Sequence, residues 1–473
     1  MGSIPDFHAR RPSGFRRIAE AFLSQPGLPF TRLLSAERIE RMFAKHGNLF
    51  GGPVYSTAIM VWSFLGQILR DGKEASCQAA VARVVVHQQQ TGGATPTSDT
   101  GDYCRARAKL SEDALHGLSA EIAAEVEQQA EPGWLWKGRH AKLVDGFTFT
   151  MPDTKANQAA YPQSKTQKRG VGFPIARACA ILSLATACIL DLALGPYSGK
   201  ETGETALLRS LWGAFSPGDL LVADRFYCSF LMIALLRQRG IDSCTRLHQR
   251  RTADFRRGRR LGPDDHLITW TKPVRPEWMD EETYAAIPHT LTLREMRYCV
   301  TVPGRRTEVL TVVTTLLDAD AYSRDDIAQL YGFRWNSELD IRSIKQGLNL
   351  VHVRCKSPHM VRRELWTTLL GYNLIRTTAA AAAALHDKQP RQISFTGTCQ
   401  YVLATGSMFS TAPLAGDQLL ARCRTMLAQI AHCEVANRPG RIEPRELKRR
   451  RHGYKLMQEP RATLRDRLAK QHK

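Results

Sequence analysis

KLVDGFTFT at residues 142–150, followed by RACAILSL at 177–184 and ACILDLAL at 187–194, decides the fold. Each run is short, apolar and rich in β-branched or aromatic positions, the signature of a strand. The text then predicts a helix in ETALLRSLWGAF from Glu204, a strand in DLLVAD ending at Asp224, a helix in SFLMIALLRQRG from Ser229 and a strand in IDSCTRL from Ile241. Three strands followed by alternating helix and strand indicate a mixed α/β sheet. The apolar stretch from Ala176 to Gly195 approaches the length of a membrane span, but Ser183, Thr186, Asp191 and many small residues favour two adjacent buried strands.

This element order is that of an RNase H-like core, and the flanking text fits around it. Residues 1–135 carry helical periodicity in ERIERMFAKHG, STAIMVWSFLGQILRDG and DALHGLSAEIAAEVEQQ, and read as an all-helical N-terminal domain suited to binding DNA ends. The basic run DYCRARAK from Asp102 is a candidate end of a recognition helix, with a plain structural role as the alternative. Residues 136–249 form the first part of the core. Residues 250–319 read as a β-rich insertion, with DHLITWTK, PHTLTLREMRYCV and TEVLTVVTTLL as its strands. Residues 320–390 return to the core, and residues 391–473 read as a helical and basic C-terminal region for dimerisation or DNA contact. The tail after Arg438, including the basic run KRRRH from Lys448, is poor in apolar residues and expected to be extended or partly disordered.

Within the late core segment, Ser323 and Asp326 supply a capping box that opens a helix. On a wheel stepped at ~100° per residue from Tyr331, Arg334 falls near ~300°, Glu338 near ~340° and Lys345 near ~320°. Leu330, Phe333, Ile341, Ile344 and Leu348 cluster near ~200–280°, so one stripe is buried and the next faces a ligand. A carboxylate among phosphate-binding cations suggests metal-assisted chemistry on a polyanion. A solvated face laced with ion pairs is the alternative.

Composition narrows the partner. The chain has 473 residues, 66 Lys+Arg against 45 Asp+Glu, and a formal net charge of +21. Such a field recruits polyanions, nucleic acid above all, and the cations do not line one amphipathic helix as a membrane-surface protein would require. The 11 cysteines contain no CxxC pair and sit mostly in apolar runs, so they read as reduced core residues of a cytoplasmic protein. The N-terminus lacks the apolar core of a signal peptide. No membrane role is expected.

Three acids stand where one sheet brings them together: Asp145 in the first core strand, Asp224 at the end of the fourth, and Glu338 on the late helix. Hard cations such as Mg²⁺ take carboxylate oxygens and keep several waters, so a few carboxylates from separate elements suffice for one or two ions. Each acid also has a structural reading. Asp145 before Gly146 is a turn candidate, Asp224 has Arg225 beside it, and Glu338 has Arg334 and Arg342 within reach.

The spacing Y-x2-R-x3-E-x6-K, filled by Tyr331, Arg334, Glu338 and Lys345, resembles the signature of the DDE transposases of bacterial insertion sequences, in particular the insertion-sequence-four family. VDGFTFTMPDT around Asp145, LLVADRFY around Asp224, RCKSPHMVRRELW after the helix and RIEPRELKRRR near the end resemble blocks of the same family; Phe147 departs from the Thr that many members carry. The resemblance implies an RNase H-like fold with a β-rich insertion. It implies that Asp145, Asp224 and Glu338 coordinate two Mg²⁺ ions, with Mn²⁺ as substitute, and that Tyr331, Arg334 and Lys345 hold phosphates of the transposon end. Trp270, inside the insertion, is a candidate to stack on a flipped base. The implied activity is binding of terminal inverted repeats, with metal-dependent strand cleavage and strand transfer by a homodimer on paired double-stranded ends, in the bacterial nucleoid. A metal-dependent nuclease without strand transfer and a non-catalytic DNA-binding regulator are the alternatives. The charge alone makes one prediction: duplex affinity falls roughly 10³–10⁵-fold between about 50 and 200 mM salt if six to ten phosphates are engaged. A salt titration by fluorescence anisotropy checks it, and a flat response contradicts it.

Overall fold

A computed structural model describes residues 33–300, 308–351, 353–409, 416–435 and 457–471. Before the first strand, the described residues form helices α1 (Ala36–Lys45), α2 (Thr57–Ile68), α3 (Cys77–Thr91), α4 (Thr100–Ala108) and α5 (Glu112–Gln128). Their starts are written in the sequence, since Ser35, Ser56, Ser76, Asp99 and Ser111 each cap the helix that follows by accepting a backbone N–H. In α4, Arg107 of the basic run is turned inward. Its guanidinium lies 4.9 Å from the Phe64 ring centre and donates to Gln67 Oε1 at 2.9 Å, while Arg105 pairs with Asp102 at 2.6 Å. Part of that run is therefore spent on packing.

The strands are β1 (Ala141–Thr150), β2 (Ile175–Ser183), β3 (Ile189–Pro196), β4 (Leu220–Ala223), β5 (Asp242–Arg246), β6 (Arg259–Gly262), β7 (Asp265–Thr271), β8 (Thr290–Val300) and β9 (Glu308–Thr314). They form one mixed sheet in the order β3-β2-β1-β4-β5-β9-β8-β7-β6. β1, β2 and β3 are an antiparallel meander, β4 and β5 run parallel to β1, and β9 closes antiparallel on β5. The apolar stretch from Ala176 is thus two paired strands, and no helix among the described residues is long and apolar enough to cross a membrane. The inserted strands extend the core sheet itself, because β9 covers the edge that β5 would otherwise leave open.

Between and after the strands run α6 (Lys155–Ala160), α7 (Glu204–Arg209), α8 (Phe230–Gln238), α9 (Glu281–Ala286), α10 (Arg324–Gly332), α11 (Trp335–Arg342), α12 (Pro358–Leu385), α13 (Phe395–Phe409), α14 (Gly416–His432) and α15 (Arg461–Gln471). The last of these corrects the expectation of an extended tail over its own length, whereas the KRRRH run lies outside the described residues. The chain divides into two compact units. One holds residues 1–138, 185–188 and 366–435; the other holds 139–184, 189–365 and 436–473. In the first, Tyr372 donates to the Ala187 carbonyl at 3.0 Å and Asn373 to Ser119 Oγ at 3.0 Å, so late helical residues are bonded to much earlier ones.

In the second unit, the helical wheel needs a correction. Ser323 and Asp326 form the capping box of α10 as expected, but the helix is not uniform from Tyr331 to Lys345. It tightens at residues 333–334, where Arg334 N bonds back to Tyr331 and Ser337 N back to Arg334, three residues apart. It then loosens into a π-helical turn at Ser343–Gly347. Three- and five-residue bonding advance by more and by less than 100° per residue, so a single uniform wheel does not fix the direction of Lys345 relative to Tyr331. Trp270 also proves to be a core residue, 5% exposed within the cluster of Phe230, Ile233, Met279 and Leu293. Its Nε1 donates to Glu295 Oε1 at 3.0 Å and the Arg251 guanidinium covers its ring at 3.8 Å.

Two buried ion pairs fix the frame of this unit. Arg294 on β8 bonds Asp265 at 2.6 and 2.9 Å and donates to the Tyr322 carbonyl at 2.7 Å, which ties the inserted strands to the start of α10. Lys142 on β1 meets Asp219, just before β4, at 2.5 Å and also donates to the Ala214 carbonyl at 2.7 Å. Both Lys142 and Asp219 are buried, so removing one partner strands a charge. Lys142→Ala is expected to destabilise this unit by about 3–5 kcal/mol. The double change Lys142→Met with Asp219→Asn is expected to cost clearly less; urea unfolding of both variants checks the ordering.

Candidate active site

The parallel pairing of β1 with β4 sets Val144 opposite Ala223, so Asp145 and Asp224 occupy the next positions on neighbouring strands. Residues at matching positions of adjacent strands project from the same face, and the strands lie roughly 4.8 Å apart. The register therefore brings the two aspartates to neighbouring backbone positions at this end of the sheet. Asp145 stays inside the ladder, opposite Ala180 of β2, so the Asp-Gly pair is strand and not turn. Asp224 directly follows β4 and caps the 3₁₀ turn Arg225–Tyr227, its Oδ1 taking the Arg225 N–H, with Arg225 Nε 3.9 Å away.

Helix α11 brings the third acid. Its buried Ser337 places Oγ 2.7 Å from Asp145 Oδ2 and 2.8 Å from the Arg334 carbonyl, so one proton serves two acceptors. The charged oxygen is the stronger acceptor. Arg334 joins the strand to the helix: Nη1 lies 3.8 Å from Asp145 Oδ2 and Nη2 donates to Glu338 Oε1 at 2.8 Å. One guanidinium thus balances two carboxylates.

The electrostatics show an acidic site held against its own charge. Burial pushes the Asp145 carboxyl above its ordinary value; Ser337, Arg334 and the Gly146 N–H work against that shift, while Glu338 adds to it. Burial likewise raises Tyr331, with nearby Asp224 adding to the rise and Arg334 opposing it, so its hydroxyl stays protonated and able to donate. Arg334 is opposed by burial, but its bond to Glu338 and the charges of Tyr331 and Asp145 hold it above the usual value, firmly cationic.

Asp145, Arg334 and Glu338 are thus in direct contact, Asp224 neighbours Asp145 through the sheet, and Tyr331 feels both Asp224 and Arg334. Lys345 lies apart, in the π-helical turn, and makes no hydrogen bond or ion pair with these carboxylates among the described residues. The donor set is all oxygen, which suits a hard divalent cation. Yet no group of three or more His, Cys, Asp or Glu among the described residues is close enough to form a ready ligand cluster. The Arg334 guanidinium stands between Asp145 and Glu338, in a place where a cation would otherwise balance them.

Two site residues were missed in the sequence. Ser337 falls near ~240° on the wheel, a polar residue inside the apolar stripe, and that mismatch was a readable signal. Glu204 opens α7, where an acid is expected from helix-dipole considerations alone. Its carboxyl is raised first by burial, then by Asp145, with Asp224 contributing, which brings it within the same field.

The sequence model of the family described as "Transposase DDE domain" matches residues 136–374. The chain is 26% identical over 384 residues to "Transposase InsG for insertion sequence element IS4" of Escherichia coli, covering 79% of this chain and 82% of that protein. Among solved structures, a cryo-EM structure of the piggyBac transposase synaptic complex with hairpin DNA aligns with a TM-score of 0.42 at 10% identity, covering 87% of this chain and 85% of that one.

The hydrogen bond at Asp145 carries a pH prediction. Ser337→Ala removes a donor to the ionised carboxylate, so Asp145 should hold its proton to higher pH than in the wild type. A ¹³C carboxyl titration is expected to move upward in pH, and an unchanged or downward titration contradicts the assignment.

Proposed function

Because the chain belongs to the transposase DDE domain family, we propose that it is an insertion-sequence-four-type transposase that binds the terminal inverted repeats of its own element and cuts and joins DNA strands at the Asp145, Asp224 and Glu338 site. The observation that carries this reading is the β1–β4 register together with the Arg334 bridge, which gathers acids from three distant segments at one end of the sheet. The order of an antiparallel three-strand meander followed by two parallel strands supports an RNase H-like core. The inserted β6–β9 segment lies between the second acid and the third, as the family's β-rich insertion does.

Asp145, Asp224 and Glu338 would hold the divalent ions, Mg²⁺ by expectation and two in number. Such ions, when bound, lower the pKa of an attacking water and stabilise the leaving oxygen of a phosphodiester. Ser337 orients the Asp145 carboxylate through its hydroxyl. Arg334 keeps Asp145 and Glu338 paired in the absence of metal, and is placed to take a phosphate when its carboxylate partners turn to an ion. Tyr331, neutral and half-buried, donates to a phosphate oxygen, and Lys345 meets the backbone further along as a point charge. Water attack forms one P–O bond as the P–O3′ bond breaks, leaving a 5′-phosphate and a 3′-hydroxyl. That hydroxyl then attacks a second phosphodiester, forming one P–O bond as another breaks, so no covalent protein intermediate is required. Two copies of the chain on paired ends would serve both termini.

The test is a gel assay with Mg²⁺ on a duplex bearing the repeats that flank the gene. Wild type is expected to cleave and to transfer the 3′-hydroxyl end to a second duplex. Asp145→Asn is expected to lose cleavage by roughly 10²–10³-fold or more while retaining end binding. Cleavage without transfer would leave a nuclease, and full cleavage by Asp145→Asn would remove the proposed centre.

A further inference from the structure

Glu204 occupies the space over Gly146. A Cβ built on Gly146 would stand 2.1 Å from Glu204 Cδ, 2.4 Å from Oε1 and 2.6 Å from Cγ, well inside any tolerated contact. The backbone of Gly146 is not in the left-handed region, so glycine is required here for room and not for conformation. On its other side, Glu204 Oε2 accepts from the Tyr227 hydroxyl at 3.4 Å, and that hydroxyl also lies 3.5 Å from Cys179 Sγ, in the strand position opposite Gly146. Tyr227 is 1% exposed, and its backbone N–H bonds to the Asp224 carbonyl at 3.2 Å. Glu204 therefore touches the residue after one aspartate and the turn capped by the other.

We propose that Glu204 is a positioning residue, a wedge between Gly146 and Tyr227 that fixes the separation of the Asp145 and Asp224 carboxylates. The inference rests on the reading of those two acids as divalent-ion ligands. Asp145 and Gly146 project to opposite faces of β1, so Glu204 braces the strand from behind Asp145. Its side-chain volume sets how far the strand end settles, and its Oε2 holds the Tyr227 ring against the same face. A glutamine in its place has the same shape and retains an oxygen that accepts from Tyr227. An alanine has neither.

The experiment is Mn²⁺ binding to the full chain, followed by electron paramagnetic resonance, with circular dichroism confirming that each variant is folded. Glu204→Ala is expected to weaken Mn²⁺ binding roughly 10–100-fold, the range seen when groups behind metal ligands are removed. Glu204→Gln is expected to keep most of the affinity. Gly146→Ala is expected to weaken binding through the clash, and Gly146→Ala with Glu204→Ala to be no weaker than Glu204→Ala alone, since the clash is gone. Equal losses in Glu204→Gln and Glu204→Ala would overturn positioning and make the carboxylate a ligand. Unchanged affinity in Glu204→Ala, or additive losses in the double variant, would also overturn it. Asp145→Asn separates the two levels of argument: if it binds Mn²⁺ as wild type does, the metal reading itself fails; if it is weakened while Glu204→Ala is not, only the wedge fails.

Discussion

The parallel register of β1 on β4 is the constraint on which the site depends. With Val144 opposite Ala223, two aspartates separated by 78 intervening residues become neighbours at one end of the sheet. A slip of one residue would send one of them to the opposite face, because side chains alternate along a strand. The buried Lys142–Asp219 pair, which links β1 to the approach of β4, resists such a slip, since parting the two would leave each charge buried without its counter-charge.

Charge balance is the second theme. Carboxylates are gathered against burial, and burial pushes Asp145 and Glu204 toward their neutral forms. Arg334 offsets this at Asp145 and pairs with Glu338 as well, which gives the protein a cation of its own beside both acids. A site arranged in this way gives up stability to hold repelling groups close together. The frame tolerates it because the inserted strands, through Arg294 and Asp265, hold the start of α10, which leads on through Arg334 into α11 with Ser337 and Glu338.

Much of the sheet was legible in the amino-acid sequence. Short apolar runs separated by turn residues gave the core strands, and the alternation after Glu204 gave the mixed character. The capping box at Ser323 gave the start of α10 to the residue. The helix beyond it was read as uniform, and that failed at Phe333, directly after Gly332, and at Ser343, where backbone bonding changes step. Trp270 was legible only as a tryptophan; its burial depends on packing against Phe230 and Ile233 of α8, about 40 positions earlier in the chain.

The acids Asp145, Asp224 and Glu338, the cation Arg334 and the strongly positive net charge are properties of the sequence, and they fix which chemistry this chain is able to host. The tertiary structure alone decided that Arg334 stands between two of those acids, that Ser337 turns its hydroxyl to the first, and that Glu204 fills the room left by Gly146. The reason is physical. Periodicity reports which face of an element is apolar, whereas contacts across elements depend on register and on the space left by the neighbouring side chain, and neither is written in local sequence.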